Sequence, residues 1–286
     1  MSSHAVIRDD DYVIDQNWAA YTTDEHAVWD FLYRRQRDIL ADRADEALLA
    51  GHEALNLNRC GIPDFRVINA ELKARTGFEV VAVPGLVPDE VFFTHLAKRR
   101  FPAGQFIRGR RQLDYLQEPD IFHDVFGHVP LLTNPMFADY LEAYGKGGLR
   151  AMQFGKLKNL AALYWYTVEF GLIETPKGLR IYGAGISSSK DESIFALDDP
   201  SPNRLRFDLA RVMRTEYRID DYQQTYFVIR SYEDLIHATV DQDFAPLYIR
   251  LADGVTYKPD TILPSDDVIT QGTQAYALAK IAGTPG

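Results

Sequence analysis

His123 and His128 are the two of the seven histidines that lie close together, five positions apart in Pro119-Asp-Ile-Phe-His-Asp-Val-Phe-Gly-His-Val-Pro130. Their neighbours are mostly apolar, and imidazoles in such company need partners when they are buried. Five residues turn an ideal α-helix by about 140°, so the two rings converge only where the helix ends or distorts. Gly127 and Pro130 offer that break. Two satisfied core histidines would leave the same trace. The spacing speaks against a zincin, whose histidines are four apart with a glutamate beside the first; here the neighbour is Asp124.

Glu169 alters the reading of the pair. It sits in Leu160-Ala-Ala-Leu-Tyr-Trp-Tyr-Thr-Val-Glu-Phe-Gly-Leu-Ile173, an apolar and aromatic helix, and no Lys or Arg falls between Lys158 and Lys177. A carboxylate there needs an ion pair, hydrogen bonds or a metal. Two histidines and one carboxylate with open coordination positions are the ligand set of non-haem Fe(II) oxygenases. Spacing alone does not bring the three together. A structural metal clip and a metal-dependent hydrolase remain alternatives from the residues themselves.

The elements that must position these residues are mostly helices. Helical patterns run from Asp24 to a stop at Gly51, from Pro63-Asp64 to Gly77, and from Pro88-Asp89-Glu90 onward. Glu118-Pro119-Asp120 opens a short helix, and Asn134-Pro135 caps one that carries Phe137, Tyr140, Leu141 and Tyr144 and stops at Gly145 and Gly147. Another spans about 159–172. Residues 78–83, 180–185 and 224–229 read as short strands, Ser231 with Asp234 as a capping box, and 273–281 as a terminal helix. The expectation is one mainly α domain with a few short strands: a lead-in over 1–20, a catalytic domain over 21–258, and an arm over 259–286.

Bulk properties set limits. The 286 residues carry 46% hydrophobic and 12% aromatic side chains and a formal net charge of −10. That content builds a core, and the charge disfavours nucleic-acid and anionic-membrane partners. Cys60 is alone, so no disulfide framework or thiolate cluster is expected. The absence of a signal-like or spanning apolar run points to a cytoplasmic protein. Lys98, Arg99, Arg100, Arg108, Arg110 and Arg111 fall within fourteen positions. Most read as a solvated basic face, though one arginine aimed into a pocket to grip a carboxylate would look the same.

Three long segments in order resemble the pterin-dependent aromatic amino acid hydroxylases, and among these the bacterial phenylalanine 4-monooxygenases. They are 117–130, Leu163-Tyr-Trp-Tyr-Thr-Val-Glu-Phe-Gly-Leu172, and Ile181-Tyr-Gly-Ala-Gly-Ile-Ser-Ser-Ser189. The likeness extends over roughly residues 20–250. It implies a helical catalytic domain of that type, with a cleft for Fe(II), tetrahydrobiopterin or a related tetrahydropterin, and the amino acid.

By motif, the resemblance makes His123, His128 and Glu169 the iron ligands. Arg108 takes the substrate carboxylate, for which a guanidinium fork suits better than an ammonium. Ser188 and Gly185 flank the substrate, Trp165 and Phe170 wall its pocket, and Tyr115, Leu116 and Gln117 line the approach. Gly85, Leu86, Val87, Phe92, Asp124 and Tyr164 face the pterin. For each aromatic, ordinary core packing is the competing explanation. The resemblance implies hydroxylation of phenylalanine to tyrosine, feeding phenylalanine catabolism, with tryptophan as the alternative ring. Animal members add a regulatory domain and a tetramerisation helix; neither is read here, so a monomer is expected.

Overall fold

Asn134 accepts hydrogen bonds from the backbone N–H groups of Met136 and Phe137 and starts the 19-residue helix Pro135–Gln153. The computed structural model containing it describes residues 11–114 and 118–283. This helix passes straight through Gly145 and Gly147, where the sequence predicts a stop. A Cβ on Gly145 would lie 2.4 Å from Ala97 N, and one on Gly148 would lie 2.1 Å from the Phe93 ring. These two glycines are therefore contact residues. They let the helix Asp89–Ala97 lie directly on Pro135–Gln153, which offsets the roughly 0.5–1 kcal/mol that a helical glycine costs relative to alanine.

The N-terminal pattern resolves into two helices, Thr23–Leu40 and Glu46–Ala54, where the sequence predicts one. Thr22 and Glu25 form a reciprocal capping box on the first. Asp45 ends the continuity: its carboxylate accepts from Ala47 N and from the Tyr232 hydroxyl, so it caps a new helix instead of extending the old one. Gly51 lies within that second helix, against the carbonyl of Pro130. The next helix, Phe65–Arg75, is capped by Asp64 and followed by Gly77 at φ +75°, as its sequence signals require.

Among the described residues the strands form two sheets. Strands β1 (Glu79–Val83) and β2 (Arg100–Gly104) pair in parallel, with Glu79 opposite Arg100. Strand β2 has no sequence signal, since Phe-Pro-Ala-Gly lacks the β-branched residues that mark strands. A five-stranded mixed sheet has the order β4-β3-β6-β5-β7. Its members are β3 (Leu172–Thr175), β4 (Gly178–Ile181), β5 (Asn203–Arg206), β6 (Thr225–Ile229) and β7 (Val268–Thr270). Strand β4 ends at Ile181, earlier than expected, because Ala184–Ser187 is already helical. Helices dominate, as expected, and a terminal helix spans Ala275–Gly283.

Candidate metal centre

The two histidines meet through a widened helix rather than a break. Phe122–His128 is a π-helix, in which i→i+5 bonding brings residues five apart toward one face. Pro130 follows in the 3₁₀ turn Val129–Thr133. A second π-helix, Trp165–Glu169, ends the helix Leu157–Tyr164 and carries the glutamate inward. The two facing Nε2 atoms are 3.2 Å apart. Glu169 lies 3.2 Å from His128 Nε2 and 3.6 Å from His123 Nε2. One ligand atom from each residue falls within a 4.8 Å cluster.

Neighbouring groups suit these residues to a metal. The Ser188 hydroxyl donates to the carbonyl of Ala184 at 2.8 Å and lies 2.9 Å from His123 Nδ1. A hydroxyl has one hydrogen, so His123 must donate Nδ1–H to Ser188, which leaves the Nε2 lone pair facing the cluster. Burial, against the pull of Glu169, pushes His123 down to about 4, so the imidazole is neutral near pH 7, as a ligand must be. Burial lowers and Glu169 raises the pKa of His128, and the carboxylate wins, so this ring gives up a proton when it ligates a metal. Burial would raise Glu169, but the two imidazoles and the Gly185 N–H hold it below the ordinary carboxylate value. Among the described residues its ionic partners are those two imidazoles. The donor set therefore fits a divalent cation with open positions.

Two cavities meet at this cluster, both lined by Pro119, His123 and Glu169. One, of ≈ 220 Å³, is lined by Gly85, Leu86, Val87, Phe92, Asp124 and Tyr164, all six positions expected to face a pterin. The other, of ≈ 590 Å³, is lined by Arg108, Trp165, Phe170, Gly185 and Ser188, five of the eight expected to face the amino acid. Tyr115, Leu116 and Gln117 lie outside the described residues.

In the smaller cavity Phe92 and Tyr164 meet edge to face, with centroids 5.8 Å apart. Asp124 is buried and accepts from Gly104 N at 2.7 Å; burial, partly countered by His128 and that N–H, pushes its carboxyl up to about 7. In the larger cavity Trp165 stacks on Tyr217 at 4.5 Å and leans on Phe170 at 4.8 Å. Gly185 admits no side chain, since a Cβ would lie 2.8 Å from the Phe170 ring and 3.1 Å from Glu169 Oε2.

Asp120 is the residue that sequence reasoning missed. Its neighbours mark it as a helix-start acid, yet it is buried and binds Arg108 through three hydrogen bonds. A proline–acid pair is too common at helix starts for local sequence to signal this partnership.

The family profile described as "Biopterin-dependent aromatic amino acid hydroxylase" matches residues 14–274. The chain belongs to the biopterin-dependent aromatic amino acid hydroxylases. Within this family it is 64% identical to phenylalanine-4-hydroxylase of Caulobacter vibrioides, over 96% of this chain and 93% of that one. Identity to phenylalanine-4-hydroxylase of Chromobacterium violaceum is 56%, over 92% and 88%. The Chromobacterium hydroxylase with iron and phenylalanine bound is similar in structure, with a TM-score of 0.88 and 54% identity over 92% of this chain and 95% of that one. Its form with Fe(III) and 7,8-dihydrobiopterin also gives a TM-score of 0.88, at 56% identity and the same coverage.

Proposed function

We propose that this aromatic amino acid hydroxylase converts L-phenylalanine to L-tyrosine, with O₂ and a tetrahydropterin as co-substrates and Fe(II) held by His123, His128 and Glu169. The observation that carries this reading is the position of the three-residue cluster at the junction of two cavities. The smaller cavity is lined by all six residues expected at the pterin, and the larger by five of the eight expected at the amino acid. A bound iron with a reduced pterin beside it supplies the activation of O₂.

The chain's own residues bind, orient and exclude water. Arg108 stands at the larger cavity with its Nη1 side not engaged by Asp120, and is the group to receive the substrate carboxylate. Trp165 and Phe170 then flank the ring on the side facing Glu169. Phe92 and Tyr164 supply flat apolar surfaces for the pterin rings, while Asp124 offers them a carboxyl that burial has pushed up to about 7. With both co-substrates seated, these aromatics would close the junction to bulk water, which would favour hydroxylation over unproductive oxidation of the pterin.

We further infer that the protein acts as a cytoplasmic monomer on diffusible small molecules. The net charge of −10 and the exposed single Cys60 support this. The activity is tested by supplying iron-loaded protein with O₂, tetrahydropterin and either phenylalanine or tryptophan. Tyrosine from phenylalanine is expected as the faster reaction. Faster turnover of tryptophan, or no pterin-dependent product, would overturn the reading.

A further inference from the structure

Gln223 is almost completely buried, with 1% of its surface exposed, and its side-chain amide is used at both ends. Its Oε1 accepts from the Trp165 indole N–H at 3.0 Å. Its Nε2 donates to the carbonyls of Arg218 at 2.8 Å and Asp221 at 3.3 Å. Trp165 walls the larger cavity, and residues 218–223, Gln223 among them, form part of that cavity's rim. One amide therefore joins the wall to the rim. The backbone N–H of Gln223 is itself held by the buried carboxyl of Glu192 at 3.3 Å, so the connector is anchored from behind.

The indole needs such an anchor. Trp165 stacks on Tyr217 with an interplanar angle of 19° and leans on Phe170 at 33°. Contacts between aromatic faces fix a separation but permit sliding and tilting, whereas the N–H is the indole's one directional group. The rim segment also carries Ile219, which is 73% exposed and makes little packing contact of its own.

We propose that Gln223 is a positioning residue for the hydroxylation: its amide sets the tilt of Trp165 against the substrate ring and ties that tilt to the 218–221 rim. This rests on the phenylalanine reading for its substrate, but not for its geometry. Gln223 touches neither the metal cluster nor the smaller cavity, so its removal should act on the amino acid and leave the pterin alone.

The test is a double-mutant cycle on the full iron-loaded chain with Gln223→Met, Trp165→Phe and the double variant. Gln223→Met keeps the volume and removes both hydrogen-bonding ends; Trp165→Phe removes the N–H and leaves Gln223 in place. Gln223→Met is expected to raise KM for phenylalanine roughly three- to tenfold, the size of one lost hydrogen bond, and Trp165→Phe, which also gives up part of the cavity wall, at least as much. Each should also lower tyrosine formed per pterin oxidised, with KM for the pterin within about twofold of the parent. The double variant should be no worse than the more affected single one. Unchanged phenylalanine KM in either single variant, or additive effects, would overturn the proposal.

A second readout does not need turnover. With Trp18 and Trp29 replaced by Phe, Trp165 is the remaining tryptophan. Its emission maximum, measured before iron is added, should shift in Gln223→Met; an unshifted maximum would contradict the positioning role. If the parent made no tyrosine, the activity reading would fail and this emission arm would still decide the role of Gln223.

Discussion

Arg108 and Asp120 form a buried two-point pair, with Nε and Nη2 of the guanidinium 2.9 and 2.8 Å from the two carboxylate oxygens. Asp120 also accepts from the backbone N–H of Arg108 and from that of His123. One carboxylate thus ties the expected substrate grip to the first turn of the helix that carries both histidines. Because one edge of the guanidinium is engaged, the substrate carboxylate has to meet the other edge. Asp120→Ala is expected to destabilise the fold by about 3 kcal/mol, as loss of one partner of a buried pair does, and to raise KM for phenylalanine at least tenfold. Arg108→Lys should raise KM similarly, because the charge stays and the fork is lost. Denaturant unfolding and steady-state kinetics check both; an unchanged KM would remove Arg108 from substrate binding.

Ser188 lines the larger cavity, proposed for the amino acid, but its hydrogen bonds also fix the His123 tautomer. Loss of a group that orients a metal-bound imidazole typically costs about 10–100-fold in metal affinity. Ser188→Ala is therefore expected to weaken Fe(II) binding by about that factor in a chelator competition. Parental iron affinity together with a raised phenylalanine KM would show that the serine serves the substrate alone.

Gly148 gives a prediction about the fold rather than the chemistry. A methyl group there meets the Phe93 ring at 2.1 Å, and overpacking of this kind costs about 1–3 kcal/mol. Gly148→Ala should lower stability by that amount in urea unfolding. Gly147→Ala, where nothing lies within 4 Å, should be neutral or slightly stabilising.

Glu192 makes stability depend on pH. Burial, partly countered by the Tyr226 hydroxyl and the Gln223 N–H, raises its carboxyl from the ordinary 4.5 to about 7. The folded state then holds this proton more tightly than the unfolded state. Its contribution to stability is fully present below about pH 4.5, falls as pH rises to about 7, and is constant above that. Glu192→Gln keeps an oxygen for both donors and removes the titration. Unfolding measured across this range should show a flatter profile in the variant, which gains on the order of a few kcal/mol over the parent at pH 8. Parallel profiles would contradict the assignment.

Much of this was legible in the sequence because the chemistry is dense there. The His123–His128 interval, a glutamate without a local cation, and the caps at Asp64, Asn134 and Ser231 rest on residue types that act over a few positions. The interval also implied a distorted helix, although the distortion is a π-turn rather than the break expected at Gly127 and Pro130. Less legible was whatever depends on a distant neighbour. Gly145 reads as a helix stop until Ala97 is beside it, and Asp120 reads as a helix-start acid until Arg108 folds onto it. Gln223 has no local signal, because its partner Trp165 is 58 residues away.

The central claim is that Glu169 closes a single iron site with His123 and His128. Its most direct test is the iron retained per chain after anaerobic loading with Fe(II) and desalting, in the parent and in Glu169→Ala. The structure predicts about one iron per chain in the parent and less than about a tenth of that in the variant, since the remaining two imidazoles do not complete the ligand set. Stoichiometric iron in folded Glu169→Ala would contradict the claim.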